Sequence, residues 1–352
     1  VQPADRLTLT DPAWLAFVAQ RPDALPFHLP AWIATVAESY RLPAFVLAVR
    51  DASGAVAAGL PVVETRLPLR PRRWVSLPFT DYCPPLAVSA TAETHLAEAL
   101  EAARLAAGAS RAEVRGRMVG SRPFEHAGYR HVLPLEADAS AVFARFHRSQ
   151  VQRSIRRAEA SGLVIRTGEP GRDLLDDFYR LHLGTRRRLG VPIQPRRFFA
   201  RLRERVLRSG TGWIVTAELD GRAVAAALFL AANETVVYKF GASESDSWNL
   251  RPNHLIFWHV IRDACARGYR RLDFGRTDAD TEGLRAFKRS WGAEEEELVY
   301  HAFGATAGAD TGADAVRPHG AGKAQRTLSA VIRRSPAWVC RWTGELLYRF
   351  VA

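Results

Sequence analysis

The sequence predicts an α/β protein made of two copies of one unit and ending in a helix. Three observations carry this. The segments Val49–Leu60 and Glu218–Leu228 are matching strand, tight turn, strand hairpins. Each hairpin is followed by a strand, a polar loop, a helix, a glycine and another strand. The turn glycines Gly54 and Gly221 lie 167 residues apart and the helix-ending Gly108 and Gly268 lie 160 apart. Finally, 352 residues at 47% hydrophobic content suffice for two ordinary cores. The expected division is 1–138 and 139–303, then a linker over 304–326 and an amphipathic helix over 327–352.

In the first half, Asp11 before Pro12 caps a helix with Trp14, Leu15 and Val18 on one face. Pro30–Tyr40 reads as a second helix with Trp32, Ile33, Val36 and Tyr40 inward. Phe45–Gly54 and Ala55–Glu64 form the hairpin. Trp74 opens a strand that runs into a loop stiffened by Pro78, Pro84 and Pro85. Glu93–Ala107 has helical periodicity, and Ala112–Arg115 reads as a short strand.

Between the repeats, Ser149–Gly162 places Val151, Ile155 and Ala158 on one helical face and Arg153, Arg156 and Arg157 on the others. Two further basic helices follow, Asp173–Arg188 and Pro195–Arg208, with Leu174, Phe178, Leu181, Phe198, Leu202 and Val206 inward. The stretch Thr235–Gly292 organises the second half. A strand passes through Tyr238, Lys239 and Gly241, a helix starts at Pro252 and closes at Gly268, and Tyr269–Gly275 is the next strand. Gly241 supplies the backbone freedom needed where a strand bulges to admit a ligand. Beyond Phe303 the chain turns to Gly, Ala, Asp and Thr, a flexible linker, before periodicity returns through Leu328, Val331, Ile332, Trp338, Trp342, Leu346 and Phe350. Such a tail commonly docks on its own protein; the other use is binding to a membrane surface.

Cys83, Cys265 and Cys340 lack paired or CxxC spacing, so neither a disulfide framework nor a zinc site is expected, and a reducing cytoplasm fits. No basic-then-apolar leader opens the chain, and no apolar run spans a bilayer. A soluble cytoplasmic monomer is expected, with peripheral contact at the inner membrane face through the C-terminal helix as an option, unless Val1 marks a trimmed chain. The net charge is +12, written with 46 Arg and three Lys. Residues 141–210 hold 17 Arg against six acidic residues, a balance of +11. That block suits a phosphate-bearing partner such as tRNA, a nucleotide or a lipid pyrophosphate; the competing reading is a solvated basic face.

The stretches Lys239–Ser243, Arg251–Trp258, Leu272–Arg276 and Phe287–Gly292 resemble the second acetyltransferase-like domain of FemAB-type aminoacyltransferases, and Ser149–Gly162 resembles the segment that introduces it. The likeness covers about 140–303; the first half matches through repeat order and its Leu77–Asp81 loop. The resemblance implies two tandem GNAT-like domains with mixed, mostly antiparallel central sheets flanked by helices. It also implies transfer of an aminoacyl group from tRNA to an amine, typically on a nucleotide- or lipid-linked peptidoglycan precursor, with no bound cofactor. Lys288 matches the motif position that polarises the carbonyl. Its type adds a hint: Lys persists at three places in an Arg-rich chain, and two of them, Lys239 and Lys288, fall in these motifs.

The remaining candidates each have two readings. Asn253 contacts substrate or caps the helix. Asp273 and Arg276 contact substrate, or pair with each other and Arg271. Tyr238 donates to a ligand or packs in the core, while Trp248 and Trp291 read as packing residues. Asp81 and Tyr82 form the first repeat's counterpart of the Lys239–Ser243 loop and line an acceptor pocket. Arg153, Arg156, Arg157, Arg186 and Arg187 are the phosphate contacts. His254 and His259 sit among bulky apolar neighbours and are not proposed as bases, and no metal is expected. No Arg/Gln-x-x-Gly-x-Gly/Ala turn follows either central strand, which favours tRNA over acyl-CoA as donor. An acyl-CoA N-acyltransferase of envelope or exopolysaccharide assembly is the alternative enzyme, and a non-catalytic RNA- or envelope-binding module the alternative of another class.

Overall fold

The computed structural model describes residues 4–65, 71–168, 174–304 and 323–348. The first half runs β1 (Asp5–Leu7), α1 (Pro12–Ala19), α2 (Pro30–Tyr40), β2 (Ala44–Arg50), β3 (Val56–Thr65), β4 (Arg73–Val75), β5 (Leu86–Ala87), α3 (Ala90–Ala106), β6 (Arg111–Val114) and β7 (Arg122–Pro134). Asp11 accepts from the Ala13 N–H at 2.9 Å and so caps α1. Trp14 and Val18 are buried as expected, but Leu15 is 37% exposed and Phe17 takes its inward place.

The second half runs α4 (Ala139–Ala144), α5 (Arg153–Glu159), β8 (Val164–Thr167), α6 (Leu175–Leu189), α7 (Arg196–Leu202), β9 (Gly212–Leu219), β10 (Arg222–Ala232), β11 (Thr235–Ser243), α8 (Pro252–Ala266), β12 (Arg271–Thr277), α9 (Glu282–Ser290), β13 (Glu294–Gly304), α10 (Lys323–Arg334) and α11 (Ala337–Leu347). Wide π-type turns at Arg148–Gln152 and Arg203–Leu207 replace the outset of the first expected basic helix and the end of the third. One terminal helix was expected and two are found, because Pro336 lacks the N–H that would continue α10. Most of the expected linker, residues 305–322, and the tail's last residues, 349–352, lie outside the described residues.

The chain forms two compact units, each recruiting a strand from the other half of the sequence. One contains the described residues up to Gly128 together with 297–304 and Tyr348; the other contains 129–296 and 323–347. In the first, the strand order is β1-β2-β3-β4-β6-β13, with β5 on β3. In the second it is β7-β12-β11-β10-β9-β8. Among the described pairings each unit has one parallel pair, β4 with β6 and β11 with β12, and the connection within each pair carries a long helix, α3 or α8. The remaining described pairs are antiparallel. The two units are therefore two mixed, mostly antiparallel α/β layers of one plan. In the first, Leu96 and Leu100 of α3 pack with Leu47, Leu60 and Trp74. In the second, Ile256, Phe257, Val260 and Ile261 of α8 pack with Phe229, Val236 and Leu272. Burial of such side chains stabilises by about 1.5–3 kcal/mol each.

Candidate functional site

The site lies in the second unit, where β11 and β12 part. Their parallel register runs Thr235↔Arg271, Val236↔Leu272 and Val237↔Asp273 and then stops, although β11 continues to Ser243 and β12 to Thr277. Each strand follows its other neighbour. β11 stays on β10, with Leu228 opposite Phe240 and Phe229 opposite Tyr238, so Lys239 is the extra residue of a bulge. β12 stays on β7, with its register shifted between Asp273 and Arg276 around Gly275, whose φ is +72°. A fork opens between Tyr238–Ser243 and Phe274–Thr277, and backbone groups facing into it have left the sheet ladder.

Three arrangements hold the fork open. Asp273, almost fully buried, accepts from the Gly275 N–H at 2.7 Å and from Arg130 Nε at 2.7 Å, fixing the β12 bulge. Arg276 pairs with Asp278 at 3.0 Å and Arg271 with Glu234 at 3.3 Å. Lys288 lies in the last turn of α9, so Phe287–Gly292 is the end of a helix and its stop rather than a free turn. Its side chain is 4% exposed, and Nζ donates to the Gly275 carbonyl at 2.8 Å and the Arg276 carbonyl at 3.1 Å. The ammonium thus satisfies main-chain oxygens on the part of β12 that β11 has left, and sets a positive charge behind that wall. Its charge also reaches His131, whose imidazole burial holds below its ordinary value and Lys288 lowers further.

On the β11 side, Tyr238 packs 4.9 Å from Phe257 and 5.7 Å from Phe229, as a core aromatic does. Its hydroxyl lies against Gly241, where a Cβ would overlap it and stand 2.8 Å from Cζ. Gly241 therefore serves close approach of this side chain. Burial pushes the Tyr238 phenol up to about 12, so it is a neutral donor at pH 7.

The first turn of α8 meets the last turn of α9. His254 lies 5.5 Å from Phe287 and 5.6 Å from Trp291, and Phe257 lies 5.6 Å from Trp291 and 5.2 Å from Phe274. The N-cap of α8 is Arg251, in the left-handed region at φ +61° and without a side-chain cap, so Asn253 is not the cap; its side chain is exposed. Burial, with Arg251 beside it, holds the His254 imidazole down at about 4 and keeps it neutral. Trp291 is fully buried as a packing residue, whereas Trp248 is 48% exposed, donating to Ser243 Oγ at 2.9 Å under the Arg188 guanidinium. Sequence reasoning missed Arg188, which also donates to the Ser243 carbonyl where β11 ends; the triple-Arg run was the available signal.

The arginine candidates separate into two groups. Arg153, Arg156 and Arg157 project from α5, which packs on α8, and are exposed with no carboxylate partner among the described residues. Arg186 and Arg187 bind main-chain oxygens instead, Arg186 that of Pro192 and Arg187 that of Ser335 at 2.7 Å. Lys239 lies 5.4 Å from the Phe240 ring. In the first unit, the Asp81 carbonyl accepts from the Tyr300 hydroxyl at 2.7 Å and Tyr82 packs on Ala127, Leu298 and Tyr300. A groove of about 850 Å³ in that unit is lined by residues that include Glu98, Glu101, Leu105, Arg122 and Phe303. Among the described residues no His, Cys, Asp and Glu cluster suits a metal ion.

Residues 145–289 match the acetyltransferase (GNAT) domain family model, which takes in the fork, α8 and Lys288. The lipid II:glycine glycyltransferase of Staphylococcus epidermidis is 32% identical over 99 residues, 26% of this chain and 24% of that protein. That of Staphylococcus haemolyticus is 35% identical over 86 residues, 23% of this chain and 20% of that protein. The match thus spans about a quarter of the first relative's length (24%). The crystal structure of FemX superposes with a TM-score of 0.71 at 16% identity, over 86% of this chain and 97% of that one. Over these residues the chain is similar to FemAB-type GNAT proteins. Its two units share the tandem GNAT-like fold of FemX, and the fork between β11 and β12 falls inside the stretch that the domain model covers.

Proposed function

We propose that this FemAB-like protein transfers an aminoacyl group from aminoacyl-tRNA to an amine on a cell-wall precursor. The observation that carries the reading is the fork itself. Two parallel strands part over a packed floor, and an extended, amide-bearing arm enters the gap between them as a third strand would. The glycyltransferase relatives act on lipid II, and the same class of acceptor is proposed here. The scissile carbonyl lies in the fork, with the Tyr238 hydroxyl on one side and the β12 wall on the other. Charge growing on the carbonyl oxygen is met by the neutral phenol donor and by the fixed positive charge of Lys288 behind that wall, an electrostatic effect of a few kcal/mol. The acceptor amine attacks the ester carbonyl as the free base, the bond from that carbonyl to the tRNA ribose oxygen breaks, and the proton lost by the amine passes through water or substrate to the departing ribose hydroxyl. Arg153, Arg156 and Arg157 engage tRNA phosphates, and a tRNA donor calls for the cytoplasmic side of the membrane.

One observation favours acyl-CoA as a second donor: α8 begins without a side-chain cap, and a helix N-terminus attracts phosphate. A transfer assay separates the two. Labelled aminoacyl-tRNA and a lipid-linked muropeptide are mixed with the protein, with and without ribonuclease, beside a reaction with acetyl-CoA. Ribonuclease-sensitive label on the muropeptide supports the proposal; label from acetyl-CoA alone, or from neither donor, defeats it.

A further inference from the structure

The helix α11 is turned inside out relative to an ordinary surface helix. It docks through Cys340, Thr343 and Gly344, which are buried. The fit is close: a Cβ on Gly344 would overlap the Ile193 carbonyl oxygen and lie 3.1 Å from its carbon. The apolar bulk faces the other way. Trp338 is 64% exposed and Trp342 is 60% exposed, and with Leu346 they form one ridge at four-residue spacing. Val331 on α10 and Leu189 at the end of α6, the helix both packs against, are also exposed. A soluble surface helix buries residues of this kind and exposes small polar ones; α11 does the reverse.

Charge decides what covers the ridge. Arg326, Arg333 and Arg334 are exposed on α10, and Arg341 flanks the ridge. The one acid of the two helices, Glu345, accepts from the Arg196 N–H at 2.7 Å. A second copy of a chain carrying +12 would meet repulsion there. Indole rings beside arginines suit the boundary between lipid headgroups and acyl chains, where indole straddles the two and guanidinium binds phosphate. Among the described residues no helix is long and apolar enough to cross a membrane, so the ridge would lie on a bilayer.

We propose that α10 and α11 form a docking surface for an anionic lipid bilayer, with Trp338, Trp342 and Leu346 inserted at the interface and the neighbouring arginines on the headgroups. It deepens the proposed function only in bringing the chain to a lipid-linked acceptor, and its test contains neither donor nor acceptor, so the two stand or fall separately. The full chain is floated with vesicles of phosphatidylcholine alone or with one third phosphatidylglycerol. The wild type is expected on the anionic vesicles and released by salt, and Trp338→Ala/Trp342→Ala is expected to lower partitioning about tenfold or more. Quenching of wild-type indole fluorescence by brominated lipid is the second readout and needs no variant. The proposal is overturned if the wild type stays off anionic vesicles, if the double variant binds as well, or if brominated lipid leaves the fluorescence unchanged. Light scattering that shows a dimer lost in the double variant would give the ridge to a second copy instead.

Discussion

Replacing Gly241 by alanine tests the geometry of the fork at one atom. Gly241 pairs with Ala227 inside a regular strand, where alanine normally gains about 0.5–1 kcal/mol over glycine. Tyr238 reverses that sign. The added methyl would overlap the phenol oxygen and stand 2.8 Å from Cζ and 3.1 Å from Cε2. The ring cannot swing aside, because Phe229 and Phe257 hold it at 5.7 and 4.9 Å. Overpacking of this kind costs about 1–3 kcal/mol, so the expected net loss is about 1–2 kcal/mol. Tyr238→Phe removes the worst overlap but leaves the 2.8 Å contact, so the double variant should recover part of the loss, with a coupling of about 1 kcal/mol. Urea midpoints for the four proteins of the cycle, followed by tryptophan fluorescence, give the numbers. A Gly241→Ala protein as stable as wild type, or two costs that simply add, would refute the packing described here.

Further outcomes follow from the charges. Burial holds His28 at about 4, His182 at about 3 and His254 at about 4, all below the unfolded value of 6.5. Groups held neutral in this way add stability that is complete above pH 6.5 and lost as pH falls toward 4, so urea midpoints should drop across that window and His182→Gln should flatten the drop. A midpoint constant from pH 7 to 4 would contradict the burial. Replacing Arg153, Arg156 and Arg157 together with alanine should weaken tRNA binding at every sequence and make its salt dependence shallower by about 2–3 in log–log slope. An unchanged slope would show that these side chains only face water.

Much of the fold could be read from residue order. Turn glycines, the prolines that open α2 and α8, and helix-closing Gly268 act locally, so they announce their elements without help from the rest of the chain. The strands exchanged between the units could not be read so. β7 begins Arg-Pro-Phe-Glu-His and carries Gly128 at φ +112°, and β13 opens on four glutamates; neither alternates in the way a strand normally advertises. Their place in a sheet comes from partners more than a hundred residues away. The site divides in the same way. The motifs fall on β11, α8, β12 and α9, but the role of Gly241 depends on a bulge at Lys239 that no local signal marks. The hold of Lys288 on Gly275 and Arg276 depends on β12 leaving its neighbour. Arg186 and Arg187 looked like members of one phosphate-binding block with Arg153, yet the main-chain carbonyls of Pro192 and Ser335 claim them, a competition visible only once the chain has turned.

We propose that the buried Lys288 ammonium behind the β12 wall serves acyl transfer. It is tested most directly by single-turnover transfer from labelled aminoacyl-tRNA by wild type and Lys288→Met, with melting curves and tRNA affinity measured on the same preparations. Loss of a fixed charge at a developing oxyanion should slow transfer about a hundredfold or more while tRNA affinity holds. A Lys288→Met protein that folds, binds tRNA and transfers at the wild-type rate would contradict the account.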